Sequence, residues 1–210
     1  MDLYFFDLDK TLYAYDFRYR LPELARLSGV SQYQLASRWW VPGFERAAEA
    51  GAWPTADEYL DEFASVTGSR RLSLEEWASA RNLAMTRNDG CVAALERCTA
   101  LGTVSLLSNN PSALAAALPQ LAPDVADLLD GNVLVSFMLG ARKPDAALYE
   151  RALAHYGVDA ADAFLADDNA HNIEGARAVG ITAHHFSYVD SVPQTAVLDE
   201  AIDRFAGRNG

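Results

Sequence analysis

Positive charge is what this sequence has least of. Its 210 residues carry 17 lysines and arginines against 29 aspartates and glutamates, a net charge of −12. A surface of that sign repels nucleic acid and anionic membrane and excludes both as expected partners. It also sets a requirement: if so acidic a chain binds a phosphate, it must concentrate positive charge in the site itself. Long apolar runs are missing, and the longest fall well short of the roughly 20 residues that cross a bilayer. No basic stretch followed by an apolar one opens the chain, so no signal peptide is expected and the cytoplasm is the expected location. Cysteine is scarce. Cys91 and Cys98 fall in one predicted helix, about 10 Å apart along its axis, too far for a disulfide. They read as small core residues of a reduced protein. No repeat and no low-complexity tract appears.

Apolar residues are plentiful, at 50%. That suffices for one sizeable core, or for a core with a smaller insert. The N-terminal stretch Leu3–Phe6 is a short apolar run that fits a buried parallel strand, although so short a run also fits a helix. It ends in Asp7 and Asp9, one residue apart, followed by Thr11. In an open α/β sheet the ligand crevice lies beyond the carboxyl ends of the strands. Both carboxylates would then enter the crevice together, and like charges so close need a cation or a proton between them. Mg²⁺, which favours carboxylate and carbonyl oxygens, meets that need. An isolated Asp-x-Asp is equally a strand followed by an Asp-rich turn.

Between Asp16 and about Arg87 no strand-like run appears. Helical periodicity predicts helices over 19–28, 31–40, 55–66 and 73–86, with Ser31 and Thr55 as N-caps and Ser73–Glu76 as a capping box. Residues 16–86 therefore read as an all-helical insert, and Trp39, Trp40, Phe44, Trp53, Tyr59, Phe63 and Trp77 supply most of its core. Tyr13, Tyr15, Phe17 and Arg18 lie where the chain enters the insert, and some are expected to line a substrate pocket.

From Asn88 helix and strand alternate. Strands are predicted over 103–107, 133–137, 163–166 and 181–186. Helices are predicted from Asn88 or Asp89 to 101, and over 112–121, 144–157 and 173–179. The terminal Ala206-Gly207-Arg208-Asn209-Gly210 is expected to fray. Such alternation argues for a parallel sheet with helices on both faces, a Rossmann-like α/β core. The core spans 1–15 and 87–210, and the insert sits over its crevice.

Three further strand ends are polar. Ser108-Asn109 opens a helix, where it serves as an N-cap or as a cradle for phosphate oxygens. Lys143 precedes Pro144; alone it reads as a surface charge. Asp167-Asp168 follows an apolar strand, and acids placed there are costly unless something pairs with them. A metal site would do so.

In this order and context the four motifs resemble the haloacid-dehalogenase-like hydrolases, a superfamily made mostly of phosphatases. They are Phe6-Asp7-Leu8-Asp9-Lys10-Thr11-Leu12, Leu107-Ser108-Asn109, Arg142-Lys143-Pro144-Asp145 and Asp167-Asp168-Asn169-Ala170-His171-Asn172-Ile173-Glu174-Gly175-Ala176. The helical insert matches the cap that one subfamily places just after motif one. The third and fourth motifs look closest to the branch holding a sugar-1-phosphate phosphatase of the α-D-glucose-1-phosphatase type and the phosphatase domain of bifunctional epoxide hydrolases.

The resemblance implies the roles. Asp7 is the nucleophile that forms an aspartyl-phosphate, and Asp9 is the acid and then the base. Ser108, Asn109 and Lys143 hold the phosphoryl group. Mg²⁺ is bound by Asp7, the main-chain carbonyl of Asp9, and Asp168, with Asp167 a further ligand or a support. Lys143 would be the local positive charge that the composition demands. The implied reaction is hydrolysis of a small phosphorylated metabolite, a sugar phosphate slightly ahead of a nucleotide or phosphoglycolate. Phosphosugar mutase, 2-haloacid dehalogenase and a non-catalytic ligand sensor are the alternatives. A dehalogenase normally lacks the second Asp of motif one. The expected assembly is a monomer or a homodimer. Lys10 stands where the family often has Gly or Asn, and is expected to pair with an acid, slightly ahead of donating to phosphate. Asn172 stands where many members have a second Asp.

Overall fold

The computed structural model describes residues 2–209 of the chain. Leu3–Phe6 forms β1, four apolar residues with no solvent exposure. A strand covered on both faces requires such an uninterrupted apolar run. The chain then passes through β2 (Tyr13–Tyr15) into the helical segment and leaves it through β3 (Met85–Arg87), which pairs antiparallel with β2. The two short strands form a ribbon joining the sheet to the insert. Met85 and Thr86, expected to end a helix, lie in β3 instead. Pairing with β2 outweighs the helical pattern there, as tertiary partners often do for short segments.

The insert contains α1 (Phe17–Ser28), α2 (Gln32–Leu35) continued by a π-helical turn (Ala36–Trp40), α3 (Phe44–Glu49), α4 (Ala56–Thr67) and α5 (Leu74–Asn82). Its starts follow the sequence. The Ser31 hydroxyl accepts from Gln34 N–H, and Thr55–Glu58 and Ser73–Glu76 form reciprocal capping boxes. Trp39, Tyr59, Phe63 and Trp77 are fully buried, with Trp39 packed edge-on against Tyr59 and Phe63. α3 was not foreseen; it begins at Gly43, which takes a left-handed conformation.

The main sheet continues with β4 (Thr103–Ser108), β5 (Val133–Val135), β6 (Ala163–Asp167) and β7 (Thr182–His185), all parallel, in the spatial order β5-β4-β1-β6-β7. Residues alternate between its faces, as the strand period of two requires. Tyr4, Phe6, Val104, Leu106 and Phe164 pack on one side with α6 (Asp89–Thr99), α7 (Ser112–Leu121), α8 (Pro123–Leu129) and, near the C-terminus, α12 (Thr195–Ala206). Leu3, Phe5, Leu107 and Leu165 face the other side, covered by α10 (Ala146–Tyr156) and α11 (Ala170–Ala178). The first cluster runs on into the insert, because α4 and α5 pack on α7.

The predicted strand 133–137 is shorter than expected: Ser136–Leu139 turns into a short helix, α9. α8, α12 and the hairpin β8 (Tyr188–Val189) and β9 (Val192–Pro193) had no counterpart in the sequence reading. Residues 207–209 close α12 as a 3₁₀ turn rather than fraying, with Arg208 paired to Asp2 and Asp162; Gly210 lies outside the described residues. Cys91 and Cys98 are buried and free. Among the described residues no helix is long and apolar enough to cross a membrane.

Candidate active site

Three adjacent strands end together. β1 runs out at Phe6 beside Leu106 of β4 and Ala166 of β6, and the ladder extends one residue further, with Asp7 N–H donating to the Ala166 carbonyl at 3.0 Å. Asp7, Ser108 and Asp167 are thereby delivered to one edge of the sheet. The ends of β1, β4 and β6 form the floor of the crevice that the topology creates.

Lys143 supplies the positive charge. It is 1% exposed, and its ammonium donates to Asp7 Oδ1 at 2.8 Å, Asp167 Oδ2 at 2.6 Å and the Leu107 carbonyl at 2.6 Å. All three of its protons are committed. Burial alone would lower its pKa, but the Asp167 and Asp7 carboxylates reverse this and raise it, so it stays charged. Asp7 is pushed the other way. Burial raises its pKa, the Lys143 ammonium opposes that, and Asp167 adds to it. The Lys143–Pro144 peptide is cis. α11 approaches this turn so closely that a Cβ on Gly175 would stand 2.5 Å from the Pro144 carbonyl oxygen. That close approach explains the glycine in the fourth motif.

Asp167 and Asp168 differ sharply. Asp167 is fully buried, and its oxygens accept from Lys143, from Asn169 N–H at 2.8 Å, and twice from the Asn172 amide at 3.0 Å. The Asn172 side chain is therefore a donor that ties α11 to Asp167. Asp168 is half-buried and lines the cavity of about 280 Å³ that also touches Asp7, Ser108, Lys143 and Asn172. Burial and then Asp167 raise its pKa. Oxygens of Asp7, Asp167 and Asp168 lie within 4.8 Å of one another. Three carboxylates this close, facing a single lysine, make a hard-oxygen donor set that fits a divalent cation such as Mg²⁺.

Asp9 sits beside this cluster. Arg81 Nη2 donates to its two oxygens at 2.6 and 2.7 Å, and Asn110 Nδ2 donates to Oδ2 at 3.1 Å. The same Asn110 amide donates to the Ser108 hydroxyl at 3.0 Å. Asn109 lines the crevice, but its side chain is engaged with the Lys143 main chain. Its side-chain oxygen accepts from Lys143 N–H at 2.8 Å, and its amide donates to the Lys143 carbonyl at 2.9 Å. Lys10 takes a left-handed conformation, φ 65°, which accounts for Gly or Asn being common at this place in the resemblance. It makes no direct ion pair among the described residues, but it is close enough to Asp168 for its charge to oppose the rise in that carboxyl's pKa.

A second cavity of about 450 Å³ opens beside Asp9, walled by Lys10, Tyr15, Phe17, Arg20, Trp40, Glu45, Glu49 and Arg81 among others. Of the entry segment, Tyr15 and Phe17 line this cavity, whereas Tyr13 is buried with its hydroxyl on Asp124 and Arg18 is an exposed partner of Asp16. Arg81, Arg20 and Glu49 were not foreseen. The signal for Arg81 was its place four residues after Trp77, one helical turn along the same buried face.

The family profile described as haloacid dehalogenase-like hydrolase matches residues 1–180. Over 188 residues the chain is 28% identical to the phosphatase MT3486 of Mycobacterium tuberculosis, covering 85% of this chain and 84% of that protein. A haloacid dehalogenase family enzyme from Bacteroides thetaiotaomicron, solved with magnesium and inorganic phosphate, superposes with a TM-score of 0.72 at 19% identity, covering 88% of this chain and 93% of its own. A 2-haloacid dehalogenase from Pseudomonas syringae pv. Tomato superposes at 0.69 with 20% identity, covering 98% and 99%. The profile spans most of the chain, and the chain belongs to the haloacid dehalogenase-like hydrolases.

Proposed function

We propose that the protein is a Mg²⁺-dependent phosphatase acting on a small phosphorylated metabolite through an aspartyl-phosphate on Asp7, with a sugar phosphate ahead of a nucleotide. One observation carries this reading above the others. The buried Lys143 ammonium sits between Asp7 and Asp167, with Asp168 beside them, so that carboxylates and cation meet at one point of the sheet edge. That arrangement handles dense negative charge and has no use in a merely structural turn.

In this reading an Asp7 carboxylate oxygen attacks phosphorus and the bond from phosphorus to the leaving oxygen breaks. Asp9 gives that oxygen a proton. Asp9 then takes a proton from water as the water attacks phosphorus, the bond to Asp7 breaks, and phosphate leaves. Lys143 lowers the repulsion between the Asp7 carboxylate and the phosphoryl oxygens, and the Ser108 hydroxyl donates a hydrogen bond to them. Asp7, Asp168 and the main-chain carbonyl of Asp9 would hold the metal, and Asp167, whose oxygens already accept from Lys143, Asn169 and Asn172, would support them. When bound, Mg²⁺ supplies the remaining charge neutralisation between two anions. Asn109 acts through the Lys143 main chain rather than by touching phosphate with its amide.

Residues 16–86 act as a cap whose face toward Asp9, with the cavity of about 450 Å³, receives the leaving group. Trp40 and Phe17, packed edge-on at 4.9 Å, offer it an apolar wall, and Glu45, Glu49 and Arg20 offer polar ones. The free cysteines fit a reducing, cytoplasmic setting. The curated relative named a phosphatase supports the reaction class.

Phosphate release from a panel of sugar phosphates, nucleotides, phosphoglycolate and p-nitrophenyl phosphate, with Mg²⁺ and with EDTA, tests this. Metal-dependent release is expected. A folded protein that releases chloride from 2-chloropropionate but no phosphate from any ester would be a dehalogenase.

A further inference from the structure

We propose that Arg81, on α5 of the helical insert, is a positioning residue that aims the Asp9 carboxylate. The inference rests on the phosphatase reading, in which Asp9 moves protons.

Arg81 belongs to the helical insert and Asp9 to the end of β1, 72 residues apart in sequence. A single nitrogen of Arg81 reaches both Asp9 oxygens, while Asn110 holds one of them from the core side. Asp9 is thus gripped between insert and core, and its carboxylate has no free rotation. Arg81 is itself fixed. It is 2% exposed, and its guanidinium lies 4.9 Å from the Tyr15 ring centroid and 5.8 Å from that of Trp77. Its Nε is buried without a hydrogen-bond partner, so Asp9 is the group that accepts from it. Arg81 is too deeply placed for a solvated surface cation. A buried guanidinium that spends its hydrogen bonds on one side chain sets that side chain's direction.

Chemically, the effect falls on proton transfer. As Asp9 passes a proton to the leaving oxygen, Arg81 and Asn110 keep its carboxylate in one orientation. A leaving group that departs readily as an anion needs no such proton; one that departs poorly does. Lysine would not substitute, because a compact ammonium on a different stem cannot keep this geometry from the same seat.

The test compares wild type, Arg81→Met and Arg81→Lys on p-nitrophenyl phosphate and on phenyl phosphate, a poorer leaving group, alongside inhibition by inorganic phosphate. Each substitution is expected to lower kcat on phenyl phosphate about 10-fold or more, and on p-nitrophenyl phosphate by less than about 3-fold, with phosphate inhibition unchanged. In an Asp9→Asn background, Arg81→Lys should cost nothing further. Equal losses on both esters, no loss on either, or full additivity with Asp9→Asn would overturn the inference while leaving the phosphatase reading intact. If Arg81→Met does not fold, Arg81→Lys gives the same comparison. Wild-type protein that releases phosphate from neither ester would overturn the phosphatase reading and this inference with it.

Discussion

The side chain of Asn109 and the main chain of Lys143 hold each other by two hydrogen bonds, the Lys143 N–H donating at 2.8 Å and the Asn109 amide donating back at 2.9 Å. The second motif thereby fixes the third, and Lys143 reaches Asp7 from a backbone that cannot drift. Asn109→Ala should cost about 1–3 kcal/mol of stability, the usual worth of such bonds when partly buried, and should lower kcat/KM well beyond what that loss explains. Denaturant unfolding and steady-state kinetics measured together check both. An active, destabilised variant would show that the pairing serves only the fold.

Glu49 links insert and core. Its carboxylate accepts from Arg142 Nε at 2.7 Å, one residue before Lys143. Burial pushes the Glu49 carboxyl up to about 7, against the pull of Arg142. The folded protein therefore keeps a proton that the unfolded chain releases at the ordinary carboxyl value. This contribution to stability is full at pH below about 4.5 and declines as pH rises to about 7, by on the order of 3 kcal/mol in all. Unfolding of wild type and Glu49→Gln at pH 5 and pH 8 is the check: the wild type should lose stability relative to the variant at the higher pH. Parallel behaviour of the two would contradict this.

Metal binding and protonation compete at the carboxylate cluster. Burial raises both Asp7 and Asp168, so protons compete there with a divalent cation more strongly than at ordinary carboxylates. Mg²⁺ affinity should fall as pH falls from 8 to 6, and titration calorimetry in buffers of different ionisation enthalpy should detect proton release. Asp168→Asn should weaken Mg²⁺ binding about 10-fold or more while leaving the fold intact. Asp167→Asn should instead destabilise the protein, because it leaves the buried Lys143 with one carboxylate fewer. Affinity that does not change with pH would sink the competition.

The sequence made legible what local chemistry decides. The uninterrupted apolar run of β1, the polar residues after β4 and β6 and the capped helices of the insert all follow from short-range pattern, and the structure places Asp7, Ser108 and Asp167 together; Lys143, expected at a strand end, instead lies in the loop after α9 and reaches the same point. What depends on how distant pieces seat was hidden. Arg81 meets Asp9 only because α5 docks over the crevice, and β3 forms only because β2 waits beside it. That Asn109 also holds the Lys143 main chain was hidden, because its motif says nothing of where Lys143 will lie. α12 went unnoticed because it follows a hairpin carrying no strong turn or capping signal of its own.

The most direct test is to look for phosphate on Asp7. Protein mixed with Mg²⁺ and the best ester from the panel, quenched in acid within milliseconds and mapped by mass spectrometry, should carry a hydroxylamine-labile phosphoryl group on the peptide containing Asp7. Asp9→Asn should accumulate it, and Asp7→Asn should carry none. Turnover with no label on Asp7, or a label on another residue, would contradict the account.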